Sequence, residues 1–159
     1  MYKGIAASRG IGIGSICRII EQDLSFETKM VSDVEAEKAR FQKAIDDFVE
    51  ETYAMAEDVK RNIGEKESEI LLGHAVMISD PSMSGEMFSM IDAGQCAEAA
   101  LTGVCDMFYG IFSTMEDEMM KQRASDIADV KVSILKKLLG IKDIEIGKVP
   151  AGTVLVCKD

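Results

Sequence analysis

Tryptophan is absent from this chain, proline occurs twice and histidine once. So few turn-forming prolines leave an all-β sandwich, with its many tight turns, without punctuation. The four cysteines, Cys17, Cys96, Cys105 and Cys157, form no C-x-x-C pair, and a single histidine cannot complete a Cys/His zinc site. Cys96 and Cys105 are nine residues apart. On one helix that spacing is about 180° around the axis and about 13 Å along it, too far for a disulfide. The cysteines therefore read as reduced thiols used as small apolar side chains. Positive charge is also scarce: Lys plus Arg number 18 against 28 Asp plus Glu, a net charge of −10. That balance argues against nucleic-acid backbones and anionic lipid surfaces, and favours a basic partner. No run approaches the roughly eighteen apolar residues of a membrane span. Met1-Tyr2-Lys3-Gly4 leads into glycines and serines rather than the apolar core of a signal peptide, so the expected location is the cytoplasm.

What the chain has in quantity is apolar and charged surface, at 47% and 29% of its 159 residues. Those proportions fill and cover a core, excluding disorder, and the length suits one domain or one and a piece. Eleven methionines add soft, adaptable apolar area.

Hydrophobic spacing divides the chain into β ends and a helical middle. Ile11, Ile13, Cys17 and Ile19 alternate, with Ile16 and Ile20 on the other face, as in a strand covered on both sides. Thr153-Val154-Leu155-Val156-Cys157 forms a second such run after the Pro150-Ala151-Gly152 turn signal. Between them, Ser32-Asp33-Val34-Glu35 reads as a capping box opening a helix with Ser32 as its cap. Val34, Phe41, Phe48 and Met55 then recur every seven residues, with Ile45 and Val59 between, up to Gly64. A second helix runs from Glu65 with Ile70, Leu71, Met77 and Ile78 until Asp80-Pro81 turns it, as an N-cap and first-turn proline would. Met83, Met87, Met90 and Ile91 line the piece beyond the kink. A third helix covers residues 97–112. Ser113-Thr114-Met115-Glu116 is a further candidate capping box, opening a fourth helix that reaches Gly140. The predicted fold is mainly α, a four-helix-type bundle of two helical hairpins with a kinked second helix, flanked by short β-strands.

Few motifs carry chemistry. Gly10-Ile11-Gly12-Ile13-Gly14 lies within a strand, with no helix N-terminus after it to hold a pyrophosphate, so it is not a dinucleotide loop. His74 has Met77 and Ile78 in the next turn instead of a lysine to hold a phosphoryl group, which favours a packed or interface histidine over a catalytic one. With one imidazole no Ser/His/Asp set exists, and no carboxylate pair is evident. The methionines near Asp80 and at Met115, Met119 and Met120 fit either a padded core or a plastic binding surface rimmed by Glu65, Glu67, Glu69 and Asp80.

Four segments together carry a family resemblance: Gly4-Ile5-Ala6-Ala7-Ser8-Arg9-Gly10-Ile11-Gly12-Ile13-Gly14, residues 69–80 with Gly73-His74, Gln122-Arg123-Ala124-Ser125-Asp126-Ile127-Ala128-Asp129-Val130, and Thr153-Val154-Leu155-Val156. Across its whole length the chain resembles the N-terminal region of enzyme I of the bacterial phosphoenolpyruvate:sugar phosphotransferase system. The resemblance implies a helical domain at 21–143 that docks the histidine-containing phosphocarrier protein. It also implies that 1–20 and 144–159 are strands of a truncated swivelling α/β domain. In that family the phosphorylated histidine and the barrel that takes phosphoenolpyruvate and Mg²⁺ fall beyond the position of Asp159. The chain is thus expected to hold no catalytic residue, metal or cofactor, and to be a monomer, while the full enzyme is a homodimer. The family's docking surface maps onto Glu65, Glu69, Leu72, Gly73, His74, Met77, Asp80 and Met83, with Met120 and Arg123 from the fourth helix. Arg9, Lys66, Pro81 and Ser82 depart from the family pattern, and Arg123 can face either the partner or Asp126 and Asp129. Two other readings remain: an independent phosphotransfer domain using His74, and a structural insertion of a related phosphoenolpyruvate-using enzyme.

Overall fold

The computed structural model describes residues 9–19, 22–142 and 149–157. Residues 4–8 of the opening glycine segment, and the expected boundaries at 20/21 and 143/144, lie outside them. The chain divides into two compact units, Met1–Asp23 with Asp143–Asp159, and Leu24–Lys142.

In the first unit, β1 (Ser15–Arg18) pairs in parallel with β2 (Thr153–Val156), Ser15 opposite Thr153 and Arg18 opposite Val156. The strand expected over 11–20 is only four residues long. It opens after Gly14, where the two backbones nearly touch: a Cβ on Gly14 would lie 1.9 Å from the Gly152 carbonyl oxygen. Only glycine permits that approach. Ile11 and Ile13, read as strand residues, are each 92% exposed in this chain.

The second unit is helical. Its elements are α1 (Val34–Asn62), α2 (Glu65–Ser79), α3 (Pro81–Asp92), α4 (Ala97–Ser113) and α5 (Glu118–Leu138). The kink at Asp80-Pro81 is a full corner. Asp80 ends α2 and caps α3, its Oδ1 accepting from the Ser82 N–H at 2.8 Å, with Pro81 in the first turn. Both capping boxes shift. The cap of α1 is Asp33, whose Oδ1 accepts from the Ala36 N–H at 3.0 Å, one residue later than Ser32. The Val31 N–H is bonded to the Gly94 carbonyl at 2.8 Å, which keeps the chain extended past Ser32. Ser113 remains in α4 and the Thr114 hydroxyl donates back to the Ile111 carbonyl at 2.9 Å, so Asp117 caps α5. In both places a carboxylate, the stronger acceptor, takes the role assigned to a hydroxyl.

Phe41, Ile45 and Phe48 of α1 pack with Ile78, Met83, Met87, Ile91, Leu101, Val104, Ile127, Val130 and Ile134 in one core. Phe41 meets Phe88 edge to face, ring centroids 5.3 Å apart. The heptad stripe holds for Phe41 and Phe48 but not for Met55, which is exposed while Thr52 and Ala56 are buried. A straight helix drifts about 20° per heptad, and by the third repeat the seven-residue row has rotated off the core. Cys96 and Cys105 are buried free thiols, and burial pushes Cys105 up to about 12.

Helix ends are joined by one charged cluster. The Arg40 guanidinium donates to Glu37 Oε1 at 2.7 Å, to Glu98 Oε2 at 2.8 Å and to the Leu138 carbonyl at 3.2 Å. Glu37 Oε1 in turn accepts from the Ala97 N–H at 2.7 Å, capping α4 across sixty residues because Cys96 provides no side-chain cap. The Arg40 hydrogen bond, offset in part by burial, holds Glu37 below the ordinary carboxylate value. Arg40→Met strands two carboxylates that are each 12% exposed. A fully buried pair broken on one side costs about 3–5 kcal/mol; with the guanidinium 38% exposed, a loss of about 2 kcal/mol is expected in urea melts. Glu37 is depressed in the folded state, so its contribution is present above its ordinary value of 4.5 and is lost as pH falls through the lower folded value. The gap between wild type and Arg40→Met should therefore be constant near neutrality and narrow in acid; a gap that widens there contradicts the assignment.

Candidate docking surface

The sequence directs attention to α2, the corner after it and the start of α5. Core residues Ser68, Ala75 and Ile78 fix the inner side of α2. Glu65, Glu69, Leu72 and Val76 recur at three- and four-residue spacing on its outer side. Glu65 and Glu69 are exposed, Leu72 is half-buried, and Val76 is 63% exposed. Asp80 is exposed at the corner, and its hydrogen bonds from Ser82 hold it below the usual carboxylate range. Glu65 is partly committed elsewhere. It receives the Lys60 ammonium at 2.8 Å, and that contact lowers its pKa.

α2 and α5 meet at Gly73. A Cβ added there would stand 3.6 Å from Arg123 Nη1, an ordinary van der Waals contact, so the guanidinium lies close against the helix. One residue on, His74 Nε2 stands 3.5 Å from Asp126 Oδ1, and Asp126 Oδ2 is 4.0 Å from Arg123 Nη1. His74 and Asp126 are 14% and 13% exposed in their side chains, while Arg123 is half-exposed. Met77 lies one turn beyond Gly73 and Met120 one turn before Arg123, both half-buried.

The structure thus brings Gly73, His74 and Arg123 together around Asp126, with Met77 and Met120 one turn away along their own helices. Met83 goes elsewhere: at 4% exposure it belongs to the core beneath the corner, so it offers no side chain to a partner. Its i, i+4 spacing to Met87 placed it on the inner face of α3. Val76 was missed, while Met119, one of the methionines read as core or binding surface, is 73% exposed. Val76 could have been found from its seven-residue spacing to Glu69 along the outer face of α2. Arg123 faces Asp126 at ion-pair range while keeping half its side chain in solvent. Among the described residues no cluster of three or more His, Cys, Asp or Glu could hold a metal ion. Nor is any described helix long and apolar enough to cross a membrane.

The helical unit falls in sequence between the two strands that pair in parallel, and solved structures share this fold. A solution structure of enzyme I (nEIt) superposes with a TM-score of 0.89 at 30% identity, covering 100% of this chain and 65% of that one. The N-terminal domain of Enzyme 1 (Nitrogen) shares the fold at 20% identity and a TM-score of 0.74, over 92% of this chain and 60% of that one. Residues 3–123 match the model for the N-terminal domain of PEP-utilising enzymes, and the chain belongs to that family. Phosphoenolpyruvate-protein phosphotransferase of Listeria innocua is 39% identical over 140 residues, 87% of this chain and 24% of that protein. The protein of the same name from Bacillus subtilis is 35% identical over 158 residues, 99% of this chain and 28% of that protein. The chain spans about a quarter of the length of these relatives and corresponds to their enzyme I N-terminal domain.

Gly73 is a direct probe of the junction. Alanine there makes only ordinary van der Waals contact with Arg123, and glycine inside a helix costs about 0.8–1 kcal/mol relative to alanine. Gly73→Ala is expected to raise the unfolding free energy by about 0.5–1 kcal/mol while leaving the guanidinium in place. A destabilised variant would show that the two helices approach more closely than this.

Proposed function

We infer that the helical unit docks a histidine-containing phosphocarrier protein and holds it for phosphoryl transfer within a phosphoenolpyruvate-protein phosphotransferase serving sugar uptake in the cytoplasm. One observation carries the reading: α2 and α5 meet at Gly73 and a half-exposed Arg123, these two helices carry half-buried Leu72, Met77 and Met120, and Glu65, Glu69 and Asp80 are exposed along α2 and its corner. An apolar centre supplies affinity, and a carboxylate edge steers a basic partner. The net charge of −10 adds to that steering. Buried free thiols at Cys96 and Cys105 suit a reducing compartment. Phosphoenolpyruvate binding, Mg²⁺ and the phosphorylated histidine belong in this reading to other parts of the enzyme.

Amide shifts during titration of the labelled chain with a purified carrier test the surface. Perturbations should centre on Leu72–Met77 and Met120–Arg123; a response confined to α1 or to the strands would place docking elsewhere. Met77→Ala is expected to cost about 2 kcal/mol of binding at every salt concentration, as desolvated anchors do. Glu69→Lys should mainly slow association, and its effect should fade above about 0.15 M salt, where the Debye length is about 8 Å.

The reading of His74 as a phosphotransfer residue has less support. Its Nε2 is buried and faces a carboxylate, which repels an incoming phosphoryl group. Incubation with labelled phosphoenolpyruvate and Mg²⁺ should leave the chain unlabelled. Stable label on His74 would make it the acceptor and reverse this assignment.

A further inference from the structure

Asp126 is a mostly buried carboxylate, and its two oxygens are divided between two bases. Oδ1 faces His74 Nε2 at 3.5 Å and Oδ2 faces Arg123 Nη1 at 4.0 Å. Neither approach is a formed hydrogen bond, since both lie beyond the usual 2.7–3.2 Å range. The gap has a cost, because His74 Nε2 is buried with no hydrogen-bond partner. Movement of a few tenths of an ångström at His74 would satisfy it. The base of the arrangement is fixed while its rim is free. Ala124 and Ile127 on either side of Asp126 are core residues at 3% and 1% exposure, whereas Arg123 keeps half its side chain in water. On the other helix the guanidinium lies against Gly73, 3.6 Å from where a Cβ would stand.

We propose that Asp126 is the positioning residue of the docking surface: one oxygen takes the His74 Nε2–H and the other the Arg123 guanidinium, so that both present a single geometry to the partner. The proposal rests on the docking reading above and deepens it by assigning a role to a residue outside the contact surface. Asp126 does not itself touch the carrier. Its carboxylate lowers the ordering that docking demands of a long, half-exposed arginine, and preorganised groups of that kind raise affinity without adding contacts. Arginine suits the role because its planar fork can give one edge to Asp126 and keep the other for a partner. The carboxylate also selects the tautomer of His74 that carries its proton on Nε2, leaving Nδ1 as an acceptor.

The test is a mutant cycle on the full chain, read by calorimetric titration with a purified histidine-containing phosphocarrier protein. Asp126→Asn keeps the shape and removes the charge. It should weaken binding about tenfold in the wild-type background and by less than about twofold where His74 and Arg123 are both alanine, as coupled neighbours require. An undiminished loss in the second background, or wild-type affinity for Asp126→Asn, overturns the proposal while leaving carrier docking in place. A wild-type chain that binds no carrier overturns both. Imidazole ¹⁵N shifts of His74 above neutral pH provide a readout in the free wild-type protein, independent of how the variants fold. They should report the Nε2–H tautomer, turning to a mixture in Asp126→Asn. A predominant Nδ1–H tautomer in the wild type would place a bare lone pair against the carboxylate and refute the arrangement.

Discussion

Arg40 lies in the second turn of α1, yet its guanidinium reaches the first turn of α4 and the last carbonyl of α5. Helix packing alone leaves neighbouring helices some freedom to slide, because apolar side chains of similar size can exchange grooves. A fork of five donors in fixed geometry removes that freedom, since each bond is satisfied in one register only. Glu37 adds a second constraint by capping α4, whose own N-terminal residue is a cysteine with no capping bond. The end of α5 is thereby tied to α1 and α4, and near its start Arg123 lies against Gly73 of α2.

Much of this was legible from residue spacing. The corner at Asp80-Pro81 is written in local chemistry, an acceptor followed by a residue with fixed φ and no N–H, and nothing tertiary needs to be known to place it. The caps of α1 and α5 were misplaced by one and by four residues because two good acceptors stood close together each time, and tertiary ties decided between them. The bond from Val31 to Gly94 illustrates the difficulty, as it joins segments that no local pattern relates. Met55 shows a second limit: a seven-residue repeat tracks a core only over the few turns before the helix rotates away from it.

For the surface, resemblance named residues whose types fit docking, but types do not reveal depth. Met77 and Met83 are alike in sequence and differ in fate because the corner turns the helix between them, leaving one half-buried and taking the other inside. Asp126 was legible as one of two candidate ion-pair partners of Arg123, but not as a neighbour of His74. Its division between His74 and Arg123 depends on where α2 meets α5, which no local pattern gives.

The parallel pairing of β1 with β2 also bears on how the chain acquires its fold. These strands come from opposite ends of the described chain, so their register is among its least local features. Closing so long a loop from an unfolded ensemble is slow, and a lone two-stranded sheet returns little for the entropy spent. Helical hairpins form from neighbours within microseconds to milliseconds, and once assembled they replace a fluctuating loop by a fixed body. Strand pairing, with the backbone contact of Gly14 against Gly152, is therefore expected late in folding, after the helices have formed from local contacts.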